Sequence, residues 1–175
     1  PALPTLSFLG GTPFADPLTI AWLDKIASSD EGGGGGGGGL SPATEEAVKD
    51  AREKASGGDV PGAVSALMAE AGAPRDRFER TVTAAELCLG SGRPDVALGL
   101  LDGADEAIRL HRLDVWDPAT ASRALRTLYT CSSALLATAK TPERAQALSA
   151  QADDAFARLT RLDPAHAMRS TKAPA

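Results

Sequence analysis

The chain has 175 residues, a net charge of -5 and a hydrophobic share of 43%, values that suit one domain with accessory segments. Aromatic residues make up only 4%, so alanine and leucine must build most of the core, and this favours close-packed helices over a β-sandwich. No basic patch accumulates along the sequence, which argues against nucleic acid as a partner. No apolar run approaches the ~20 residues that span a bilayer, which argues against direct membrane insertion.

The N-terminus lacks an initiator methionine, and it lacks the charged and apolar stretches of a signal peptide. We therefore expect a fragment of a longer protein. Cys88 and Cys131 each lie inside an apolar helical pattern. Two buried thiols in a protein of the reducing cytoplasm are the expected state of this pair.

Residues 1–29 are predicted to form an apolar N-terminal segment with one short helix, which Asp16 and Pro17 begin as N-cap and first helical residue. Three of the chain's seven aromatic residues lie in this segment: Phe8, Phe14 and Trp22. Burying side chains of this size is worth roughly 1.5–3 kcal/mol each. We therefore expect residues 6–28 to pack on a helical body, either that of the same chain or that of a neighbouring subunit.

Residues 30–40 are predicted to be a flexible linker, because eight consecutive glycines occupy most of them. A phosphate-binding loop of the Walker A type would need Gly-Lys-Ser/Thr after such a run. Leu40 and Ser41 follow instead, so the glycines do not indicate a nucleotide site.

Residues 41–168 are predicted to form an all-α domain, followed by a polar tail over 169–175. A capping residue followed by proline recurs at helix starts, and glycine follows several helix ends. We predict helices over Pro42 to about Ser56, Asp59 to about Ala71, Pro74 to about Leu89, Pro94 to about Arg112, Pro118 to about Ala139 and Pro142 to about Leu162, with a short turn from Pro164. The capping residues are Ser41, Asp117, Thr141 and Asp163.

An internal repeat with a period of 34 residues relates the first two pairs of helices, and this is the period of tetratricopeptide hairpins. The matching positions are Val48 with Val82, Ala51 with Ala85, Gly58 with Gly92, Ala63 with Ala97, and Leu67 with Leu101. No third copy is found after Trp116. The sequence thus predicts antiparallel, tetratricopeptide-like hairpins that form a compact bundle, two of them repeated and a longer one closing it.

Two of the predicted helices carry more apolar residues than one buried stripe requires, and a helix that is apolar all round is buried all round. Leu98 and Leu100 in the fourth helix and Leu135 in the fifth belong to this surplus. Either the bundle itself or another subunit can cover them. The candidate packing or interface residues are Phe8, Phe14, Trp22, Leu98, Leu100, Trp116 and Leu135.

No arrangement of residues typical of an active site is present, so we expect no enzyme activity, no cofactor and no metal. His111 and His166 have no ligand partners at zinc spacing. Asp153 and Asp154 are adjacent, so they point about 100° apart on a helix and do not form a carboxylate pair. The acidic residues Asp102, Asp105 and Glu106 are expected to form a solvated stripe.

A series of motifs in order resembles the C-terminal region of the TssA/VasJ family of bacterial type VI secretion proteins. The motifs are Phe78, Ala84–Leu89, Gly92-Arg93-Pro94, Ala97–Leu101, Asp105–Ile108, His111-Arg112-Leu113, Trp116-Asp117-Pro118, Leu128–Cys131 and Arg161–Ala165. The stretch Gly11 to Asp16, with Thr19 and Trp22, resembles the segment that precedes this region in the same family.

The resemblance implies a structural subunit of the bacterial cytoplasm that primes or coordinates assembly of the tail tube and the contractile sheath. It also implies a ring-like homo-oligomer whose further partners are components of the baseplate, the sheath and the tail tube. The alternative is a generic tetratricopeptide-like adaptor that binds a peptide in a polar groove and can be monomeric.

Overall fold

A computed structural model describes residue 19 and residues 39–69 and 72–169. The chain divides into two units after Ser41, and the helical bundle is formed by residues 42–169. Every regular element in the described residues is a helix, which confirms the all-α prediction. The predictions for residues 6–28, for most of the linker and for the end of the tail lie outside the described residues, although Thr19 is helical.

The helix boundaries follow the predicted signals closely. The helices are α1 (Pro42–Ser56), α2 (Val60–Ala69), α3 (Pro74–Gly90), α4 (Pro94–His111), α5 (Leu113–Trp116), α6 (Pro118–Leu136), α7 (Pro142–Leu162) and α8 (Pro164–Arg169). Three of the predicted caps are made by side-chain oxygens, because Asp117, Thr141 and Asp163 accept hydrogen bonds from the backbone N–H three residues later, at 3.2, 3.3 and 2.8 Å. These bonds satisfy donors that a helix start would otherwise leave unpaired.

The repeat is visible in the backbone of the two hairpin turns. Gly58 has a φ of 94° between α1 and α2, and Gly92 has a φ of 76° between α3 and α4. Side chains disfavour this left-handed region, so glycine is the residue that suits both turns. The 34-residue shift therefore relates positions with the same backbone requirement.

The apolar pairs of the repeat are also equivalent in burial. Every residue matched by the shift, apart from the two turn glycines, lies in the core of the bundle. Small alanines such as Ala63 and Ala97 have no exposed surface at all. Their size allows the two helices of each hairpin to approach closely, and the neighbouring leucines fill the space between hairpins.

The closing hairpin, formed by α6 and α7, continues the packing order of the first two. α6 contacts both helices of the hairpin before it, α3 and α4, as α3 contacts α1 and α2. A shift of 34 residues cannot reveal this third position, since α5 is inserted before α6 and both closing helices are longer than their counterparts. The third hairpin is equivalent in space, although its sequence does not repeat.

One apolar seam runs along α7 from Ala145 to Leu162, with its residues three or four positions apart, and it faces α6 and the core. Leu148, Ala152, Ala155 and Leu159 are buried, while the seam residues at its two ends are half-buried. Phe156 lies beside the seam, and its ring centroid is 5.3 Å from that of Tyr129 on α6. α7 is thus a packed helix of the bundle, as its period indicates.

Candidate assembly surfaces

The predicted interface residues that the structure describes lie in three different environments. Leu98 is only 5% exposed and belongs to the core of its own chain. Leu100 and Leu135 are half-buried and pack against that core. Trp116 is 79% exposed. Phe8, Phe14 and Trp22 lie outside the described residues.

The bundle itself covers much of the apolar surplus of α4 and α6. Leu101 and Ile108 of α4 are buried, and so are Leu125, Leu128 and Cys131 of α6. Of the two ways to enclose these helices, the chain uses its own hairpins for most of their length. What remains uncovered is concentrated at the two ends of α4.

The last turn of α4 and the short helix α5 carry three exposed apolar side chains, here named the apolar ridge: Leu110, Val115 and Trp116. These side chains are 72%, 65% and 79% exposed. The three residues lie within seven positions of the sequence, and exposed apolar residues that lie close together mark interaction sites more often than single ones do. The sequence singled out Trp116 but missed the other two, because an isolated Leu or Val in a helical pattern predicts burial.

A left-handed residue positions the ridge. Arg112 has a φ of 53°. It is the one non-glycine residue with a positive φ in the described part of the chain. It ends α4, where its backbone N–H bonds to the carbonyl of Ile108, and it precedes the short helix α5. The sequence predicted a helix end near Arg112 but not α5, since four residues show no helical period. This turn ends α4 and begins α5, the helix that carries Trp116.

The N-terminal end of α4 lies beside an apolar groove, defined by the surface between α2 and the turn from α3 to α4. Its volume is about 650 Å³. The apolar lining residues are Val60, Pro61, Val64, Met68, Cys88 and Val96. Met68 and Val96 are exposed here, whereas Cys88 forms part of the buried floor.

A second cavity, the arginine cavity, lies between the end of α4 and α7 and has a volume of about 350 Å³. Four arginines and two aspartates line it: Arg109, Arg112, Arg158, Arg161, Asp114 and Asp154. Arg109 reaches across to Asp154 at 2.5 Å and also bonds Asp105 at 3.0 Å. The positive charges beside the ridge are thereby partly neutralised.

The acidic stripe predicted on α4 is bound by side chains of α7 in addition to solvent. Arg158 forms an ion pair with Asp105, and the Gln151 amide donates to Asp102 at 2.9 Å. The partners are separated by 53 and 49 residues in sequence, so no local pattern predicted them. The stripe ties the closing hairpin to the hairpin before it.

A further charged cluster joins α6 to α3. The Arg123 guanidinium donates two hydrogen bonds to the Glu86 carboxylate, at 2.7 and 2.8 Å, and also bonds Glu79 and the hydroxyl of Thr83. These hydrogen bonds, above all those to Glu86, raise the pKa of Arg123. The sequence did not reveal this cluster, whose role in the structure is to connect two hairpins.

The described residues offer no grouping of ligands for a metal, because no three His, Cys, Asp or Glu side chains come together among them. Both cysteines are buried and carry free thiols, as the sequence predicted. Burial raises the pKa of Cys131 to about 11, and the nearby Cys88 adds to the effect. A thiol with so high a pKa is a poor nucleophile at neutral pH.

A family model described as "Type VI secretion, EvfE, EvfF, ImpA, BimE, VC_A0119, VasJ" matches residues 1–128. The chain belongs to this family. The match spans the N-terminal segment, the linker and the two repeated hairpins, and it ends within α6. The resemblance inferred from the sequence motifs is therefore confirmed.

One solved structure, the EAEC T6SS TssA-Cterminus, is similar in fold, with a TM-score of 0.61 and 22% sequence identity over 71% of this chain and 95% of that chain. It supports the helical architecture of the VasJ-type chain. A search of curated proteins finds no match. Within the described residues, no helix has both the length and the apolar character that crossing a membrane requires.

Proposed function

We propose that the chain is a structural, non-enzymatic assembly subunit of the type VI secretion system that acts as a ring-shaped homo-oligomer. The single observation that carries this proposal is the apolar ridge of Leu110, Val115 and Trp116, which stands exposed on a member of a type VI secretion family. An exposed tryptophan with apolar neighbours is the composition of an interface anchor. Contact with a partner would remove this apolar surface from water, which favours association.

The chemistry of the cavities supports a structural role. Most charged side chains that line the arginine cavity pair with one another, and the apolar groove offers few polar groups to orient a substrate. Catalysis requires a nucleophile, an acid or a base held near a bound substrate. The surfaces of the described residues favour protein contact over reaction chemistry.

The other parts of the proposal concern location and partners. We place the protein in the bacterial cytoplasm, where components of the baseplate, sheath and tail tube are its partners beside further copies of itself. Residues 41–168 act as the assembly domain, while residues 1–29 and the linker over 30–40 supply an attached apolar segment, and 169–175 a polar tail. The net charge of -5 is consistent with partners other than nucleic acid.

An experiment in cells tests this function. In the bacterium that encodes the chain, the gene is deleted and sheath assembly is followed with a fluorescently labelled sheath protein. We expect sheath structures to become rare and to return when the wild-type gene is restored. Sheath assembly at the normal frequency in the deletion strain would contradict the proposed role.

A pair of variants connects the function to the ridge. Trp116→Ala removes the most exposed anchor, so a gene with this change should fail to restore sheath assembly. Ala134→Glu alters another exposed apolar position, far along α6 from Trp116 in sequence, and should restore it fully. Comparable protein levels, checked by immunoblot, are needed for both variants, because a loss of protein would mimic a loss of contact.

A further inference from the structure

The arginine cavity at the end of α4 carries more positive than negative charge. Four arginines line it, and the carboxylates that pair with them belong to three aspartates, Asp105, Asp114 and Asp154. Glu106 and Asp153 lie on the same two helices but do not line the cavity. One positive charge is therefore left over at this site, in a chain whose net charge is -5.

Two of the four arginines are held in place by shared carboxylates. Arg109 bonds Asp105 at 3.0 Å and Asp154 at 2.5 Å. Arg158, the more buried of the two arginines, forms ion pairs with the same two aspartates. Since each carboxylate is shared between two guanidinium groups, this network joins α4 to α7 and fixes one wall of the cavity.

The other two arginines have hydrogen-bond donors to spare. Arg161 is exposed, and among the described residues it has neither an ion pair nor a side-chain hydrogen bond. Arg112 pairs with Asp114, but its Nε lies 3.5 Å from the carboxylate oxygen, beyond the usual length of a hydrogen bond. A guanidinium group has five N–H donors. Both side chains can therefore bind a further oxyanion while the network of Arg109 and Arg158 stays intact.

The size and lining of the cavity favour an acidic side chain of a protein as its ligand. The volume of about 350 Å³ lies at the lower end of the range for ligand pockets. Planar guanidinium groups match the geometry of carboxylates and phosphates. The lining offers no aromatic side chain on which a base could stack. The net charge of -5 also repels a polyanion such as nucleic acid.

We propose that the arginine cavity binds a short acidic segment of a partner protein, whose carboxylates accept hydrogen bonds from Arg112 and Arg161. The inference goes beyond self-association, because it assigns a contact with a different protein to side chains outside the apolar ridge. Asp114 competes with the partner's carboxylates for Arg112. Removing this aspartate should therefore strengthen binding, whereas removing either arginine should weaken it.

The experiment uses the full chain and a fluorescein-labelled peptide of six glutamates, with a peptide of six glutamines as the control ligand. Fluorescence anisotropy at low salt, where screening is weakest, gives the Kd. We expect the wild type to bind the glutamate peptide and not the glutamine peptide. Arg161→Gln should weaken binding about fivefold, the upper range for one exposed ion pair. Arg112→Asn should have a similar effect, since asparagine tolerates the left-handed backbone at this position.

A gain of affinity distinguishes competition inside the cavity from a general effect of charge. Asp114→Asn should tighten binding about threefold. Two changes on α1 serve as matched controls, because Asp50 and Arg52 are exposed and lie outside the cavity. Asp50→Asn and Arg52→Gln alter the net charge by the same amounts and should leave the Kd unchanged. Circular dichroism checks that each variant keeps its helices, and if Arg112→Asn does not fold, the other two cavity variants still decide the result.

Several outcomes would overturn the inference. They are equal affinity for the two peptides, equal affinity of the wild type and Arg161→Gln, and an unchanged Kd in Asp114→Asn. Tighter binding of inorganic phosphate than of the peptide, measured by competition, would assign the cavity to a phosphate group instead. A change of mass in Arg161→Gln would show that the cavity is a contact between copies. A monomeric wild type that binds the glutamate peptide would reject the proposed self-association and support this inference.

Discussion

The closing hairpin packs against the second hairpin in the same arrangement as the second packs against the first, but different types of side chain form the two contacts. Small apolar residues of the first hairpin, such as Ala51 and Ala63, share one buried cluster with Ala84 of the second hairpin. The closing hairpin shares an apolar core with the second, but long polar side chains also join it, above all Arg123 and Arg158. Close packing therefore leaves a period in the sequence, while contacts made by long side chains do not.

The difference matters for stability because, within residues 42–169, the second hairpin packs against a hairpin on both sides and the first hairpin packs against one. Leu67 and Leu101 occupy the same repeat position, and each is 1% exposed. Leu67 belongs to the smaller cluster at the end of the bundle, and Leu101 to the large central cluster. Leu67 and Leu101 are thus equally buried but lie in different clusters.

The largest expected effect comes from truncating these two leucines. Leu→Ala in a core costs about 2–5 kcal/mol, depending on how far the surroundings relax into the cavity. We expect Leu101→Ala to lie near the upper end of that range and Leu67→Ala near the lower end, as measured by denaturant unfolding. Equal losses, or a larger loss at Leu67, would mean that the end hairpin is as firmly held as the central one.

Removing the charged link of the closing hairpin should have the next largest effect. Arg123→Met leaves Glu79 and Glu86 without their partner, and breaking a buried pair costs 3–5 kcal/mol. Since Arg123 and Glu86 are 22% and 27% exposed, solvent reduces the expected loss to about 2–3 kcal/mol. Arg75→Met, which breaks a more exposed pair with Asp117, is the control and should cost under ~1 kcal/mol. A loss under ~1 kcal/mol in Arg123→Met would show that the Arg123 cluster does not stabilise the contact between α6 and α3.

Alkaline pH should lower the free energy of unfolding of the bundle because of the Cys131 thiol in the closing hairpin. The pKa of Cys131 is raised from 9.0 to about 11 in the folded chain, so above pH ~9 the unfolded state loses the proton first and stability falls as pH rises. A shift of this size corresponds to roughly 2–3 kcal/mol, lost between pH 9 and pH 11. Cys131→Ala should remove most of this decline in unfolding free energy. An equal decline in the variant would assign it to other groups.

The glycine turns should give the smallest effects and should be equal in the two repeats. Gly58→Ala and Gly92→Ala each place a side chain at positive φ, which costs about 1 kcal/mol. No neighbouring atom opposes a Cβ at Gly99, an exposed helical position, so Gly99→Ala should raise the unfolding free energy by about 0.5–1 kcal/mol. Thermal melts can rank all three variants. Unequal costs at Gly58 and Gly92 would contradict the equivalence of the two turns.

Much of the fold was predictable because its signals are local. Capping residues such as Thr141, turn glycines such as Gly92 and the period of α7 each depend on neighbours in sequence. The assembly surfaces were less predictable, and of the ridge only Trp116 was singled out. Leu98 looked like surplus but lies in the core, since burial depends on which helix arrives from elsewhere in the chain. Contacts across 37 to 53 residues, as in Arg123–Glu86 and Arg158–Asp105, have no local signature.

Self-association of this VasJ-family chain can be measured as the mass of the pure chain in solution. Sedimentation equilibrium at tens of micromolar should give a single species at a whole multiple of 17.9 kDa, unchanged over a range of concentrations as a closed ring requires. A mass of one chain at every concentration would contradict the account and favour the monomeric adaptor.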